Sequence, residues 1–202
     1  MNDPSPGSRT QQFQPAQGQQ FDVDDTLTGQ LRPIRRAVLS LGSNAGDRAS
    51  NLQNAIDAIL DAPGIWGLSV SPVYETEPLQ PGDGPRFLNA VLVVDTEMSG
   101  ATLLERCHAV EEAFGRARVG EDRRGPRRLD IDVIALADRI LNDPRITLPH
   151  PRAHERAFVL QPWYDVEPDA TLPSKGKIAD LLMDVDLLTV RRMPHIVLEL
   201  PA

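Results

Sequence analysis

Two acidic residues interrupt an apolar run in the segment LDIDVIALA, residues 129–137. The apolar and β-branched residues of this run favour a β-strand. Because strand side chains alternate, Asp130 and Asp132 would share one face, roughly 6–7 Å apart along the strand. The pattern puts Ile134 with the acids, and Leu129, Ile131, Val133 and Ala135 on the other face. Two like charges this close are costly unless a cation lies between them, so the spacing predicts a site for a hard cation. A solvent-facing edge strand, or pairing of the acids with nearby arginines, is the alternative.

The segment just before this strand is strongly basic. GRARVGEDRRGPRR, residues 115–128, holds six of the 21 lysines and arginines of the chain and only two acids. The arginines are Arg116, Arg118, Arg123, Arg124, Arg127 and Arg128. Its glycines and proline predict a loop, and guanidinium groups bind phosphate oxygens well. Arginines beside a carboxylate pair indicate a site for a metal-bound polyphosphate, although a solvated charged loop is the simpler reading. Neither a P-loop motif nor a G-x-G-x-x-G motif is present.

Two histidines follow in LPHPRAHERAF, at residues 148–158. His150 and His154 are four apart, but the glutamate of H-E-x-x-H is missing and Pro151 intervenes, which argues against a zinc site. His150 can instead hydrogen-bond a phosphate, with Arg156 beside it. Capping of an ordinary loop explains His150 equally well.

A long loop rich in proline and glycine, YETEPLQPGDGPRFLNAV, ends in Phe87 and Asn89. These residues are two apart on a predicted strand and therefore share a face. An aromatic ring next to a side-chain amide suits a flat, hydrogen-bonding heterocycle. Packing of Phe87 in the core is the alternative.

The elements that carry these residues follow the order βαββαβ. Strands are predicted in RAVLSLGSN, GLSVSPVYETEP, RFLNAVLVVDTE and LDIDVIALA, and helices in DRASNLQNAIDAIL and SGATLLERCHAVEEAF. This order predicts an α+β, ferredoxin-like sandwich. We also expect a small hairpin at 138–150, a short helix in PRAHERAFVLQPW and a helical segment at 176–185.

Composition bounds the remaining possibilities. Residues 1–33 are rich in Gln, Pro and Ser, which predicts a disordered tail before a domain at 34–170 and an extension at 171–202 packed on it. A formal charge of −8 argues against a general binder of nucleic acid or acidic membrane. The single cysteine, Cys107, fits a core position and a reducing, cytoplasmic compartment. The apolar runs are too short to span a bilayer.

Several stretches together resemble the 6-hydroxymethyl-7,8-dihydropterin pyrophosphokinase family. They are LSLGSNAGDR, SPVYETEPL, FLNAV, GPRRLDIDVI, LPHPRAHERAFVL and PW, in the order and spacing of that family over residues 36–170. The resemblance implies a ferredoxin-like enzyme of the folate pathway. Such an enzyme moves a pyrophosphoryl group from ATP to the pterin hydroxymethyl group and uses two Mg²⁺ ions.

The resemblance also implies roles for individual residues. Asp130 and Asp132 would hold the metal ions, and Arg116, Arg118 and Arg127 would close over the phosphates. The ATP-binding positions would be His108, Glu111, Arg124, Arg127, Ile131, His150 and Arg156, and the pterin-binding positions would be Thr76, Leu79, Phe87, Asn89 and Phe158. Three positions depart from the family pattern, with Arg124 in place of Trp, His108 in place of Gln and Glu77 in place of Pro.

Two other functions remain open at the level of sequence. A nucleotidyltransferase would also place paired acids on a ferredoxin-like sheet, but it would release pyrophosphate instead of AMP. A non-catalytic RNA-binding module would not need Asp130 and Asp132 together, since acids repel a nucleic-acid backbone. We expect a monomer that acts on small molecules.

Overall fold

A computed structural model of the chain describes residues 32–78, 84–115 and 126–201. The predicted N-terminal tail lies almost wholly outside these ranges. Within them, every helix is too short or too polar to cross a lipid bilayer.

Seven elements form the body of the fold. They are β1 (Arg35–Ser43), α1 (Arg48–Leu60), β2 (Ile65–Val70), β3 (Tyr74–Thr76), β4 (Phe87–Thr96), α2 (Gly100–Ala113) and β5 (Asp130–Leu136). The later elements are β6 (Leu141–Asn142), β7 (Thr147–Leu148), α3 (Ala157–Val166), β8 (Thr171–Leu172), β9 (Gly176–Lys177), α4 (Ile178–Leu181) and β10 (Val190–Arg192). The ferredoxin-like order is confirmed, as is the hairpin, in which β6 pairs with β7.

The main sheet is antiparallel and runs β10-β3-β4-β1-β5, with β2 also pairing β4. The prediction of one continuous second strand is wrong, because this segment forms β2 and β3 with a break at residues 71–73. Pro72 has no N–H to give to a ladder. At the break, the Ser71 hydroxyl accepts a hydrogen bond from the backbone N–H of Val91 at 2.8 Å.

Helices α1 and α2 cover one face of the sheet. The Asp47 side chain caps α1 by accepting from the Ser50 backbone N–H at 3.1 Å. The residue spacing of α1 predicts an apolar stripe made of Leu52, Ala55, Ile56, Ile59 and Leu60. The first four are buried in contact with the sheet, and Leu60 is half-buried beside them. Cys107 of α2 lies in the same core cluster.

The second face of the sheet has an apolar half and a polar half, and the apolar half is covered by other elements. Val38, Val91, Val93, Ile134 and Ala135 pack there against α3 and the segment that follows it. The covering side chains are Val159, Leu160, Trp163, Leu172, Ile178 and Leu182. Polar residues occupy the rest of this face, toward the end of β1 and the start of β5. We call this polar half the site face.

One detail of β5 differs from the predicted alternation. Val38 pairs with Ala135 but Leu39 pairs with Val133, so Ile134 is an extra residue in the ladder. Ala135 therefore lies with Ile134 under α3 and not with Val133, as strict alternation predicted. Asp130 and Asp132 precede the bulge and keep the shared face.

The C-terminal residues join the sheet and both layers. Strand β10 pairs with β3, with Val190 opposite Thr76 and Arg191 opposite Glu75. Leu198 is buried in the cluster beneath α1 and α2. The boundaries at residues 34 and 170 stay predictions.

Candidate active site

Strand β1 brings the two predicted halves of the site together. Gly42 is the cross-strand partner of Asn89 on β4 and of Asp130 on β5. Ser40 is the partner of Val91 and Asp132 in the same way. Because cross-strand partners share a face, the proposed metal residues and the proposed heterocycle residues lie on the site face, one strand apart.

The absence of a side chain at Gly42 lets its neighbours approach the strand. A Cβ atom there would lie 3.3 Å from Asn89 Oδ1 and 3.6 Å from Phe87 Cδ1. The first of these distances is tighter than ordinary van der Waals contact. Gly42 thus forms the floor between Asn89 and Asp130.

Each of the two aspartates accepts a hydrogen bond from an arginine. Arg127 Nη1 donates to Asp130 Oδ1 at 2.7 Å, and Arg156 Nη1 donates to Asp132 Oδ2 at 2.8 Å. The carboxylate side chains are 31% and 36% exposed, so water and ligands can reach them. The alternative raised from the sequence, that the acids pair with nearby arginines, is therefore seen in this structure. The same contacts bring two guanidinium groups beside the acids.

The donor set fits Mg²⁺ better than a metal held by protein alone. Among the described residues there is no group of three or more His, Cys, Asp or Glu side chains that would enclose an ion. Mg²⁺ commonly takes one or two carboxylates and completes its shell with water and substrate phosphates. Two partly exposed aspartates on one strand are suited to that arrangement.

His150 lies against Asp132. Its backbone N–H donates to the Ile134 carbonyl at 2.8 Å, and its Nδ1 accepts from the Arg152 N–H at 3.2 Å. Nε2 is 3.9 Å from Asp132 Oδ2. Burial lowers the pKa of His150, and Arg156 and Arg152 lower it further against the opposing effect of Asp132. The neutral ring carries its proton on Nε2, since Nδ1 accepts, so it can donate to an anion.

Glu111 reaches the same strand from α2. Its side chain is buried, and Oε1 accepts a hydrogen bond from the Ile131 N–H at 2.9 Å. Since β5 is an edge strand, this bond caps a backbone donor that lies between the two aspartates. In this structure Glu111 holds β5 in place, and its predicted contact with nucleotide stays a prediction. His108 lies exposed on the same helix.

The residues predicted to bind the heterocycle lie on β3, β4 and the start of α3. Asn89 Nδ2 donates to Thr76 Oγ1 at 2.9 Å in a buried pair, which orients the Asn89 amide. Phe87 is half-buried opposite Thr76. Phe158 is half-buried, and the Arg156 guanidinium lies 5.5 Å from its ring centroid.

A cavity of about 920 Å³ adjoins this group. Thr76, Arg156 and Phe158 line it, and it continues toward the C-terminal segment at Asp184–Thr189. Four predicted site residues, Leu79, Arg116, Arg118 and Arg124, lie outside the described residues.

Sequence reasoning missed Asn44. It is buried, its N–H donates to the Arg127 carbonyl at 3.0 Å, and its Oδ1 accepts from the Arg127 N–H. Its Nδ2 donates to the Pro85 carbonyl at 3.3 Å. Asn44 thus links the end of β1 to the entrances of β4 and β5. A polar residue directly after a buried strand was the only signal in the sequence.

Comparison with known proteins identifies the family of the chain. A model of the 7,8-dihydro-6-hydroxymethylpterin-pyrophosphokinase (HPPK) family matches residues 38–168. The chain is 37% identical over 161 residues to the 2-amino-4-hydroxy-6-hydroxymethyldihydropteridine pyrophosphokinase of Pseudomonas aeruginosa, covering 80% of this chain and 98% of that protein. It is 44% identical over 139 residues to the protein of the same name from Methylorubrum extorquens, covering 69% and 87%.

A solved structure shows the same fold. The Plasmodium falciparum HPPK-DHPS with pteroate superposes with a TM-score of 0.63 at 13% identity, covering 82% of this chain. The chain spans 47% of the length of that protein. The fold and site define a ferredoxin-like protein with paired carboxylates and basic groups on one face of its sheet. Within that class, the chain belongs to the 7,8-dihydro-6-hydroxymethylpterin-pyrophosphokinase family.

Proposed function

We propose that this protein transfers the pyrophosphoryl group of ATP to the hydroxymethyl group of 6-hydroxymethyl-7,8-dihydropterin, in tetrahydrofolate biosynthesis. The hydroxyl oxygen forms a bond to the β-phosphorus as the bond from that phosphorus to the α,β-bridging oxygen breaks. AMP leaves, the pterin diphosphate forms, and the hydroxyl proton goes to solvent. The observation that carries the proposal is the juxtaposition of Asp130 and Asn89 on either side of Gly42. This arrangement supports the proposal, because a carboxylate pair for the phosphates would then lie beside an amide for the heterocycle.

Asp130 and Asp132 would hold Mg²⁺, two ions by resemblance to the family. Bound there, Mg²⁺ would neutralise negative charge on the triphosphate and help to align it with the hydroxyl. The aspartates remain accessible for this role, since each contacts only one arginine at hydrogen-bond distance among the described residues.

The basic side chains would bind the phosphates. Arg127 and Arg156 lie beside the acids, and His150 can donate from Nε2. Because the transition state of phosphoryl transfer is loose, alignment and charge stabilisation account for most of the acceleration, and the hydroxyl needs little activation. We propose that Arg116, Arg118 and Arg124 add to this charge and that Glu111, His108 and Ile131 lie on the nucleotide side.

The heterocycle would lie between aromatic rings. Phe87 and Phe158 would sandwich the pterin, while Asn89 reads its edge and the backbone at Thr76 and Leu79 completes the pocket. The Thr76 hydrogen bond supports this role, because it fixes the Asn89 amide before any ligand binds.

A product assay tests the reaction. Purified protein, Mg²⁺, ATP and 6-hydroxymethyl-7,8-dihydropterin should yield AMP and pterin diphosphate in equal amounts. 6-Methyl-7,8-dihydropterin is the matched control, because it keeps the ring and lacks the acceptor hydroxyl, so it should yield no AMP. Release of free pyrophosphate would favour the nucleotidyltransferase. Omission of Mg²⁺ should abolish turnover if the metal proposal holds. We further propose a cytoplasmic monomer, which sedimentation and fractionation would check.

A further inference from the structure

The buried carboxylate of Glu75 is surrounded by three guanidinium groups. Its register on β3 is opposite to that of Thr76, and Glu75, Arg86 and Arg191 line the same cavity that Thr76, Arg156 and Phe158 line. The Glu75 side chain is 8% exposed, with Arg48 Nη1 at 3.2 Å from Oε1 and Arg86 Nη1 at 3.4 Å from Oε2. Arg191 Nη2 also donates to Oε2. We call these four residues the Glu75 cluster.

The cluster joins parts of the chain that are far apart in sequence. Arg48 begins α1, Arg86 directly precedes β4, and Arg191 lies on the C-terminal strand β10. Arg48 also donates to the Arg86 carbonyl at 2.8 Å, and Arg86 pairs with Glu77. Glu75, on β3, therefore links the start of the connection between β3 and β4 to its end at Arg86.

Electrostatics keep Glu75 ionised. Burial raises its pKa, but the hydrogen bonds from Arg191 and Arg48 outweigh burial and lower the pKa below its usual value. Neutralising Glu75 would leave three guanidinium groups crowded together without the charge that compensates them. They would then repel one another where the connection meets the sheet.

The sequence neighbours of the cluster are the proposed pterin residues. Thr76 follows Glu75 and Phe87 follows Arg86, and each has its side chain on the site face, because strand side chains alternate. Thr76 in turn holds the Asn89 amide. A shift of the backbone at Glu75 or Arg86 would move both Thr76 and Phe87.

We propose that Glu75 is a positioning residue for pterin binding, and that Arg191 of the C-terminal strand acts on the pterin pocket through it. This inference rests on the proposed function of the site. It gives the C-terminal segment a role in substrate affinity, in addition to packing.

The test uses the full chain with the substitutions Glu75→Gln and Arg191→Ala. Glu75→Gln keeps the shape and removes the charge, and it should raise the pterin Kd and KM about tenfold, while kcat and the KM for ATP stay within about twofold. Arg191→Ala should raise the pterin Kd about threefold, and Arg191→Lys should recover part of the loss. Lys177→Ala is the control, since Lys177 is an exposed basic residue of β9 that belongs neither to the cavity lining nor to the Glu75 cluster; it should change nothing.

A double substitution checks that the two residues act together. In the Glu75→Gln protein, Arg191→Ala should add no further loss of pterin affinity. Fully additive losses would overturn the coupling. An unchanged pterin Kd in both single variants, or equal losses for ATP and pterin, would overturn the positioning role. Arg191 is 65% exposed, so its variant should fold even if Glu75→Gln does not.

Direct titration of the pterin, followed by ligand fluorescence, separates this inference from the reaction. A parent protein that binds the pterin but releases no AMP would overturn the proposed reaction, and the Kd comparison would still decide the role of Glu75. A parent protein that binds no pterin would overturn both.

Discussion

Asp130 and Asp132 contribute little to stability as single ion pairs. Each is about one-third exposed and contacts an arginine in a region that water reaches. Pairs of this kind stabilise a fold by about 0–1 kcal/mol. Two like charges on one strand therefore call for a functional explanation, and the proposed role as ligands for a cation supplies one.

Replacing either acid should separate activity from folding. Asp130→Asn and Asp132→Asn each remove a hard oxygen ligand and should lower turnover by at least about a hundredfold. The melting temperature should change by less than about 4 °C. Asp138→Asn, an exposed acid just beyond β5, is the matched control and should keep full turnover. Near-normal turnover in either site variant would remove that acid from the mechanism.

Cys107 should behave as a core residue. Burial, followed by the charge of Asp132, raises the pKa of its thiol to about 12. Because the thiolate is the reactive form, iodoacetamide at pH 8 should leave the native protein unmodified and add one group per chain in denaturant. Mass spectrometry of both samples checks this. Equal rates in the two samples would contradict the burial of Cys107.

Individual strands place the site groups. Strand β1 supplies the floor at Gly42 and the link at Asn44, while β5 carries the acids and is held at its outer edge by Glu111. An edge strand with an uncapped N–H would be free to shift. The site thus depends on two elements, β1 and α2, that hold β5 in place.

A side chain at Gly42 should damage pterin binding first. In Gly42→Ala the new Cβ would lie 3.3 Å from Asn89 Oδ1, so the amide or the Phe87 ring must move. We expect the pterin KM to rise about tenfold with a smaller effect on the KM for ATP. Steady-state kinetics with each substrate varied separately measures this. Unchanged pterin kinetics would show that the floor of the site can relax.

Removing the Glu111 cap should loosen β5. Glu111→Ala leaves the Ile131 N–H without its partner and should lower the free energy of unfolding by about 2 kcal/mol. Glu111→Gln keeps an acceptor oxygen and should therefore lower the free energy of unfolding by a smaller amount. Glu112→Ala, the exposed neighbour on α2, serves as control. Urea unfolding curves of the three variants test this order of unfolding free energies. Equal stabilities of the Glu111→Ala and Glu112→Ala proteins would contradict the cap.

At the scale of the whole molecule, both faces of the described sheet are covered by packed elements, and the site face is the polar region that carries the paired acids. Helix α3 and the segment after it bury the apolar half of that face. The rest carries Asn89, Asp130 and Asp132 with their arginines. In a chain of net charge −8, we expect this local concentration of basic groups to attract an anionic ligand.

Deletion of residues 1–30 should leave the enzyme intact. Their composition, rich in Gln, Pro and Ser, predicts that they bury little apolar surface. Turnover and melting temperature of the truncated protein should match the full chain within about twofold and 2 °C. A large loss of melting temperature would show that this segment docks on the domain.

The sequence by itself determined the order of elements and the shared face of Asp130 and Asp132. Both follow from local periodicity, which needs only neighbouring residues. The stripe of α1 at Leu52, Ile56 and Ile59 was predicted for the same reason. The clustering of apolar residues likewise predicted Cys107 as a core residue.

Only the tertiary structure decided which of these residues meet. The pairing of Gly42 with Asn89 and Asp130, the bulge at Ile134, and the approach of Arg191 to Glu75 depend on registers between strands distant in sequence. A register is selected by the burial of whole faces at once, and a shift by one residue would exchange the faces. No local pattern contains that choice. The pair Asp130 and Asp132 was therefore visible in the sequence, while the contacts made by Gly42, by Asn44 and within the Glu75 cluster were not.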